Sequence, residues 1–82
     1  MALSYLDISR TNIKNLLLLK DMTNLTDLEA KQCQLTSLCG VESNIYLFSI
    51  DVSDNNIRSL KPINGLLLHD INISRNSFVD PN

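Results

Sequence analysis

Leu25-x-x-Leu28-x-Ala30-x-x-Cys33-x-Leu35 is the stretch that decides the fold, because the same phrase occurs four times. Before it stands Leu3-x-x-Leu6-x-Ile8-x-x-Thr11-x-Ile13. After it stand Leu47-x-x-Ile50-x-Val52-x-x-Asn55-x-Ile57 and Leu68-x-x-Ile71-x-Ile73-x-x-Asn76-x-Phe78, and the offsets are 22, 22 and 21 residues. The period outlasts the phrase. Leu16, Leu38 and Leu60 take the next apolar place, then Leu19, Val41 and Ile63, then Met22, Asn44 and Leu66. Seven such places in each of three copies and four in the last make 25, and apolar residues fill all but Asn44. A chain that is 44% apolar would fill roughly 11 by chance, so the period is a property of the sequence and not of its leucine content.

Within each phrase two apolar residues stand two apart, which is strand spacing. Leu6 and Ile8 are thus expected to point inward, as are Leu28 and Ala30, Ile50 and Val52, and Ile71 and Ile73. Beyond the strand, the places that repeat with the period fall every two or three residues, at 11 (Thr), 13, 16, 19 and 22, and all but the first are apolar. A 3₁₀ or irregular return presents side chains to a core at that interval. One such unit closes no core alone, but stacked units share their apolar faces. The one-residue deletion at Leu66-Leu67-Leu68 predicts a tighter third return.

These phrases resemble the leucine-rich repeat family over almost the whole chain, about three and a half units. The 22-residue length is similar to phosphatase-regulatory-subunit-like and internalin-like repeats. Met22-Thr-Asn-Leu-Thr-Asp-Leu28 and Asn56-Ile-Arg-Ser-Leu-Lys-Pro-Ile63 look like internalin phrasing. The resemblance implies an α/β repeat solenoid: an arc with a short-stranded parallel sheet on its concave face and irregular or 3₁₀ returns on its convex face. Its units run over about 3–24, 25–46, 47–67 and an incomplete 68–82. In the family an Asn at the end of each strand turns inward and hydrogen-bonds loop backbone. Asn55 and Asn76 match that place, while Thr11 and Cys33 are weaker donors standing in it. These four are expected to form a structural polar ladder. The family implies a binding module, and fold alone names no partner.

The outward strand residues line the concave surface: Tyr5, Asp7, Ser9, Arg10; Asp27, Glu29, Lys31, Gln32; Ser49, Asp51, Ser53, Asp54; Asp70, Asn72, Ser74, Arg75. Equivalent residues form columns about 4.8 Å apart. One column reads Asp7, Glu29, Asp51, Asn72, and its neighbour reads Tyr5, Asp27, Ser49, Asp70. Like charges at that spacing repel by about 0.8 kcal/mol per pair even in water, with no folding benefit legible in the sequence. A basic protein or peptide would relieve the repulsion and be steered toward it. The competing readings are a solvated polar face, and a divalent cation, which a ladder of parallel carboxylates suits poorly. Tyr5, Asp7, Asp27, Glu29, Lys31, Ser49, Asp51, Asp54, Asp70 and Asn72 are therefore the candidate partner-binding residues, with Tyr5 as the aromatic anchor.

Other chemistry finds little support. The net charge of −2 does not suggest a nucleic-acid partner, and the longest apolar run, Leu16 to Leu19, is far short of a membrane span. His69 is the lone histidine, and no nucleophile–base pairing, glycine-rich loop or metal spacing occurs, so neither an enzyme nor a cofactor is expected. Cys33 and Cys39 are too few for a disulfide framework and fit a reducing compartment. With no secretory signal visible, the cytoplasm is expected, or the cell surface or exterior if the chain is a fragment. Asn24-Leu-Thr26 and Asn72-Ile-Ser74 match the glycosylation sequon by chance in an Asn-rich chain. Leu17, Leu18, Tyr46, Phe48 and Leu67 fall outside the period, as return-side padding or a convex patch.

The chain opens directly on a strand phrase and stops at Asp80-Pro81-Asn82. Neither end carries a capping unit, which predicts a segment of a longer array. A purely structural segment with no partner of its own is the alternative to a binding module. End-to-end self-association through the open strand edges is a further expectation.

Overall fold

In a computed structural model, which describes residues 3–78, the strand phrases form a four-stranded parallel sheet in the order β1-β2-β3-β4. The strands are β1 Tyr5–Asp7, β2 Asp27–Glu29, β3 Ser49–Asp51 and β4 Asp70–Asn72. Two short 3₁₀ helices lie on the returns, η1 at Leu17–Leu19 and η2 at Lys61–Ile63, the latter with a proline in its first turn. The described residues contain no α-helix. The end of the 68–82 segment and the stop at Asp80-Pro81-Asn82 lie outside the described residues.

The register follows the sequence offsets. Leu6, Leu28, Ile50 and Ile71 are successive partners, flanked by the columns headed by Tyr5 and by Asp7. The same backbone bonds recur at each junction. Ser4 O accepts from Thr26 and Asp27, Thr26 O from Phe48 and Ser49, and Phe48 O from His69 and Asp70. Past the strands, Ile8 N donates to Glu29 O (2.8 Å), Ala30 N to Asp51 O (2.8 Å) and Val52 N to Asn72 O (2.9 Å). Two residues on, Arg10, Gln32 and Asp54 donate to the carbonyls of Lys31, Ser53 and Ser74. Each three-residue strand is therefore extended by an irregular rung that keeps the backbone paired.

One core fills the space behind the sheet. Leu16, Leu19, Leu25, Leu28, Ala30, Leu35, Leu38, Val41, Leu47, Ile50, Val52, Ile57 and Ile63 are buried in a single cluster with Cys33. Leu6, Ile8, Ile13, Met22, Leu60, Leu66, Leu68, Ile73 and Phe78 pack partly buried against it. Ile71 departs from expectation: it is 50% exposed and does not share the interior of Leu28 and Ile50. It lies beside Ile50 in register, but among the described residues β4 has a strand neighbour on one side only, and none of them forms a further layer over it. Leu67 absorbs the shortened third offset by standing out of the core, 85% exposed.

Two local devices turn the chain. Arg10, Gln32, Asp54 and Arg75 all have φ between 54° and 62°, the left-handed region, at the same place after each strand. None of them is glycine, so each bend carries a steric cost of about 1 kcal/mol. Gly40 (φ 118°) is different in kind: a Cβ there would overlap the carbonyl of Leu16 and crowd the Leu17 nitrogen. Glycine at 40 lets two backbone segments meet.

Candidate functional site

The polar ladder is assembled by hydrogen bonds that cross from one segment to the next. Asn55, 6% exposed, accepts from Cys33 N and Leu35 N through Oδ1, both at 2.9 Å. Its amide nitrogen faces the carbonyls of Ala30 (2.8 Å), Val52 (2.9 Å) and Ser53 (3.1 Å). Asn76 does the same one segment later, accepting from Ile57 N and donating toward Val52 O and Ile73 O. Cys33 substitutes a thiol, directed at Ile8 O (3.1 Å) and Lys31 O (3.3 Å), and Thr11 a hydroxyl that donates to Ile8 O. These groups satisfy backbone that the turn would otherwise bury unpaired.

Asn44, the one polar residue in the apolar period, is fully buried. Its amide nitrogen donates to Leu19 O (3.0 Å) and Met22 O (2.8 Å), tying one return to the previous one. It is a third structural asparagine, outside the ladder, and its only sequence signal was being out of pattern.

The open side of the sheet carries the two expected columns. Tyr5, Asp7, Asp70 and Asn72 are exposed, while Asp27, Glu29, Ser49 and Asp51 on the inner strands are half-buried. Lys31 and Asp54 lie half-buried just beyond the strands. Ser53 is a correction. It is buried rather than displayed, because its hydroxyl turns back to Asp51 Oδ1 (2.8 Å).

The acids also have the folding role that the sequence hid. Asp7 Oδ1 accepts from Ser9 N (3.0 Å), Asp51 Oδ1 from Ser53 N (3.1 Å) and Asn72 Oδ1 from Ser74 N (3.2 Å). The side chain two residues upstream thus caps the strand end, an Asx-turn. The Ser9 N–H, then the Ser9 side chain, holds the Asp7 carboxyl below the usual carboxylate range. Glu29 breaks the pattern. It accepts from the Tyr5 hydroxyl (2.8 Å) and pairs with Lys31 (3.4 Å), and the bond to Glu29 raises the Tyr5 pKa. Asp54 is clasped by the Arg75 guanidinium, with Nη2 to Oδ2 at 2.9 Å, and the same contact lowers the Asp54 carboxyl and raises Arg75. Among the described residues Asp27 and Asp70 enter no ion pair.

At the end of the sheet where the strands begin, a shallow groove of about 590 Å³ is lined by Asn24, Thr26, Asp27, Tyr46 and Phe48. Leu47 between the two aromatics is buried, so Tyr46 and Phe48 both turn outward, at 63% and 45% exposure. Phe48 stacks on His69 with ring centroids 4.7 Å apart. Tyr46 and Phe48 therefore form a surface, not return-side padding. Leu17 and Leu18 are exposed on the opposite, return side.

Among the described residues no group of His, Cys, Asp and Glu could hold a metal ion, and no helix is long and apolar enough to cross a membrane. Cys33 is buried and Cys39 exposed, both as free thiols. Comparison with known proteins found no match: no family model, no curated protein and no solved structure matches this chain.

Proposed function

We propose that the chain is part of a leucine-rich repeat arc that works by binding, not catalysis, and that it takes a basic segment of a partner protein on its acidic open face. The repeat reading is supported by the even register of the strands and by backbone bonds that recur with the sequence period. The ladder of Thr11, Cys33, Asn55 and Asn76 supports it further.

The observation that carries the binding reading is a purely parallel sheet with one face uncovered. Such sheets are ordinarily buried on both faces. Here Leu28 and Ile50 face a core, while the side chains of the intervening register positions meet solvent. The uncovered side is also set apart in charge. With Ser53 set aside, its fifteen outward positions hold six acids (Asp7, Asp27, Glu29, Asp51, Asp54, Asp70) against three bases (Arg10, Lys31, Arg75). The remaining chain holds four bases against three acids, so the negative charge is gathered on this one face. A basic partner would be both steered and discriminated by that field.

The caps at Asp7 and Asp51 dictate the test. Charge reversal there would remove a fold contact along with the charge. Asn72 shows that an asparagine can hold the same cap. The combined variant Asp7→Asn, Glu29→Gln, Asp51→Asn removes three charges and keeps the acceptors at 7 and 51. In low salt its affinity for a lysine- and arginine-rich peptide should fall about tenfold or more, with a shallower salt dependence. Equal affinity and equal salt dependence for the variant and the natural chain would refute the proposal.

A further inference from the structure

We infer that the groove of Asn24, Thr26, Asp27, Tyr46 and Phe48 receives an arginine side chain of that basic segment, its guanidinium lying on the Tyr46 and Phe48 rings and paired with the Asp27 carboxylate. This rests on the acidic-face reading and gives it a specific anchor. Three features of the groove select the ligand.

The walls are aromatic and outward-facing. Tyr46 and Phe48 stand on either side of a buried Leu47, which anchors the chain beneath them. Phe48 is held by its backbone on both sides, donating to Thr26 O and accepting from His69 N, each at 2.8 Å. Its ring is steadied by the stack on His69. A pair of rings on a fixed backbone offers flat faces at little ordering cost, and such faces attract cations.

Asp27 makes the groove selective. It lies half-buried at the groove wall and belongs at the same time to the acidic column, in register between Tyr5 and Ser49. Unlike Glu29 and Asp54, it enters no ion pair among the described residues. An aliphatic ligand would cover this carboxylate without pairing it, which is unfavourable. An anion would be repelled by it and by the columns beyond. A cation with flat apolar faces satisfies both wall and acid.

The third feature separates arginine from lysine. A guanidinium stacks on rings while its N–H fork grips a carboxylate, whereas an ammonium is a compact, tightly hydrated charge. Asn24 offers a side-chain carbonyl at the same rim. The Thr26 hydroxyl already donates to Ser4 O and has lone pairs left to accept. The lining is mainly apolar, and the few polar groups on it can accept, which suits a ligand with flat apolar faces and an all-donor edge.

The test titrates the chain with a short peptide bearing one arginine between lysines, and with versions in which that arginine is lysine or neutral, isosteric citrulline. Amide chemical shifts and calorimetry are the readouts. The arginine peptide should bind about tenfold tighter than the citrulline peptide, with shifts centred on 24–27 and 46–48. Tyr46→Leu, which keeps apolar area but removes the π-face, and Asp27→Asn should each erase most of that preference while melting like the natural chain. The lysine peptide should also bind several-fold more weakly than the arginine peptide; equal binding of those two, or a preference that survives both substitutions, would overturn the groove assignment. The acidic-face reading would still stand if the peptides bound with salt dependence. Absence of binding by every peptide at low salt would remove the acidic-face reading, and the groove assignment with it.

Discussion

Replacing Asn55 by alanine should cost this chain a large part of its stability, and the amount can be worked from the contacts. The substitution removes the only acceptor shown for Cys33 N–H and Leu35 N–H, both on buried residues. It also strips a donor from the carbonyl of buried Ala30, whereas Val52 O keeps Asn76 and Ser53 O keeps Gln32 N. A buried polar group left unpaired costs about 1–3 kcal/mol, so two orphaned N–H groups set the loss at about 2–6 kcal/mol. Total stability for a chain of this size is about 4–12 kcal/mol, at about 0.05–0.15 kcal/mol per residue. The variant should therefore melt early or be partly unfolded at room temperature. Urea unfolding followed by circular dichroism gives the number, provided that the slope is unchanged. Asn76→Ala is the internal control. Asn76 makes the same kind of bonds but is half-buried, so water can replace its amide and the loss should stay near 1 kcal/mol. A loss below about 1 kcal/mol at Asn55, or equal losses at both asparagines, would refute the reasoning that burial sets the cost.

Three further outcomes follow from the geometry. Cys33→Asn should stabilise by about 1–2 kcal/mol in the same urea assay, because the new amide can donate where the thiol now points, to Ile8 O and Lys31 O, and its oxygen lies in the register to accept from Thr11 N and Ile13 N. Gly40→Ala should lose about 2–4 kcal/mol by thermal or urea melting, since it combines a positive φ with overlap on the Leu16 carbonyl. The depressed carboxyls of Asp54 and Asp7 add stability that is complete above the unfolded value of about pH 4 and is lost as pH falls through their lower folded values. The urea midpoint should accordingly drop between pH 5 and pH 2, and Asp54→Asn should flatten that part of the curve.

The register of the sheet was readable in advance because Leu6, Leu28, Ile50 and Ile71 mark it at the sequence offsets, and the columns beside them then follow from alternation alone. Burial was less readable. Periodicity says which way Ile71 points but not whether anything lies beyond it, and a terminal strand leaves it half exposed. The strand-end caps were present in the letters, as Asp7-Ile-Ser9, Asp51-Val-Ser53 and Asn72-Ile-Ser74. Charge does not reveal them, because a carboxylate that accepts a neighbouring N–H looks the same in sequence as one that awaits a partner. The groove was hidden for the opposite reason. Tyr46 and Phe48 fit no place in the period, and only the burial of Leu47 between them shows that both rings face out.

The left-handed bends after the strands have one more implication. Glycine would make each bend more cheaply, yet Arg10, Gln32, Asp54 and Arg75 occupy them. A glycine would leave a bare rim along that border of the sheet. Two arginines, a glutamine and an aspartate stand there instead, and two of them lock together as the Asp54–Arg75 clasp. The interior of such a molecule is held to one pattern by packing, but its border takes an acid, a neutral amide and arginines at the same bend. Identity can therefore be written along the margin and rewritten without disturbing the leucines behind it.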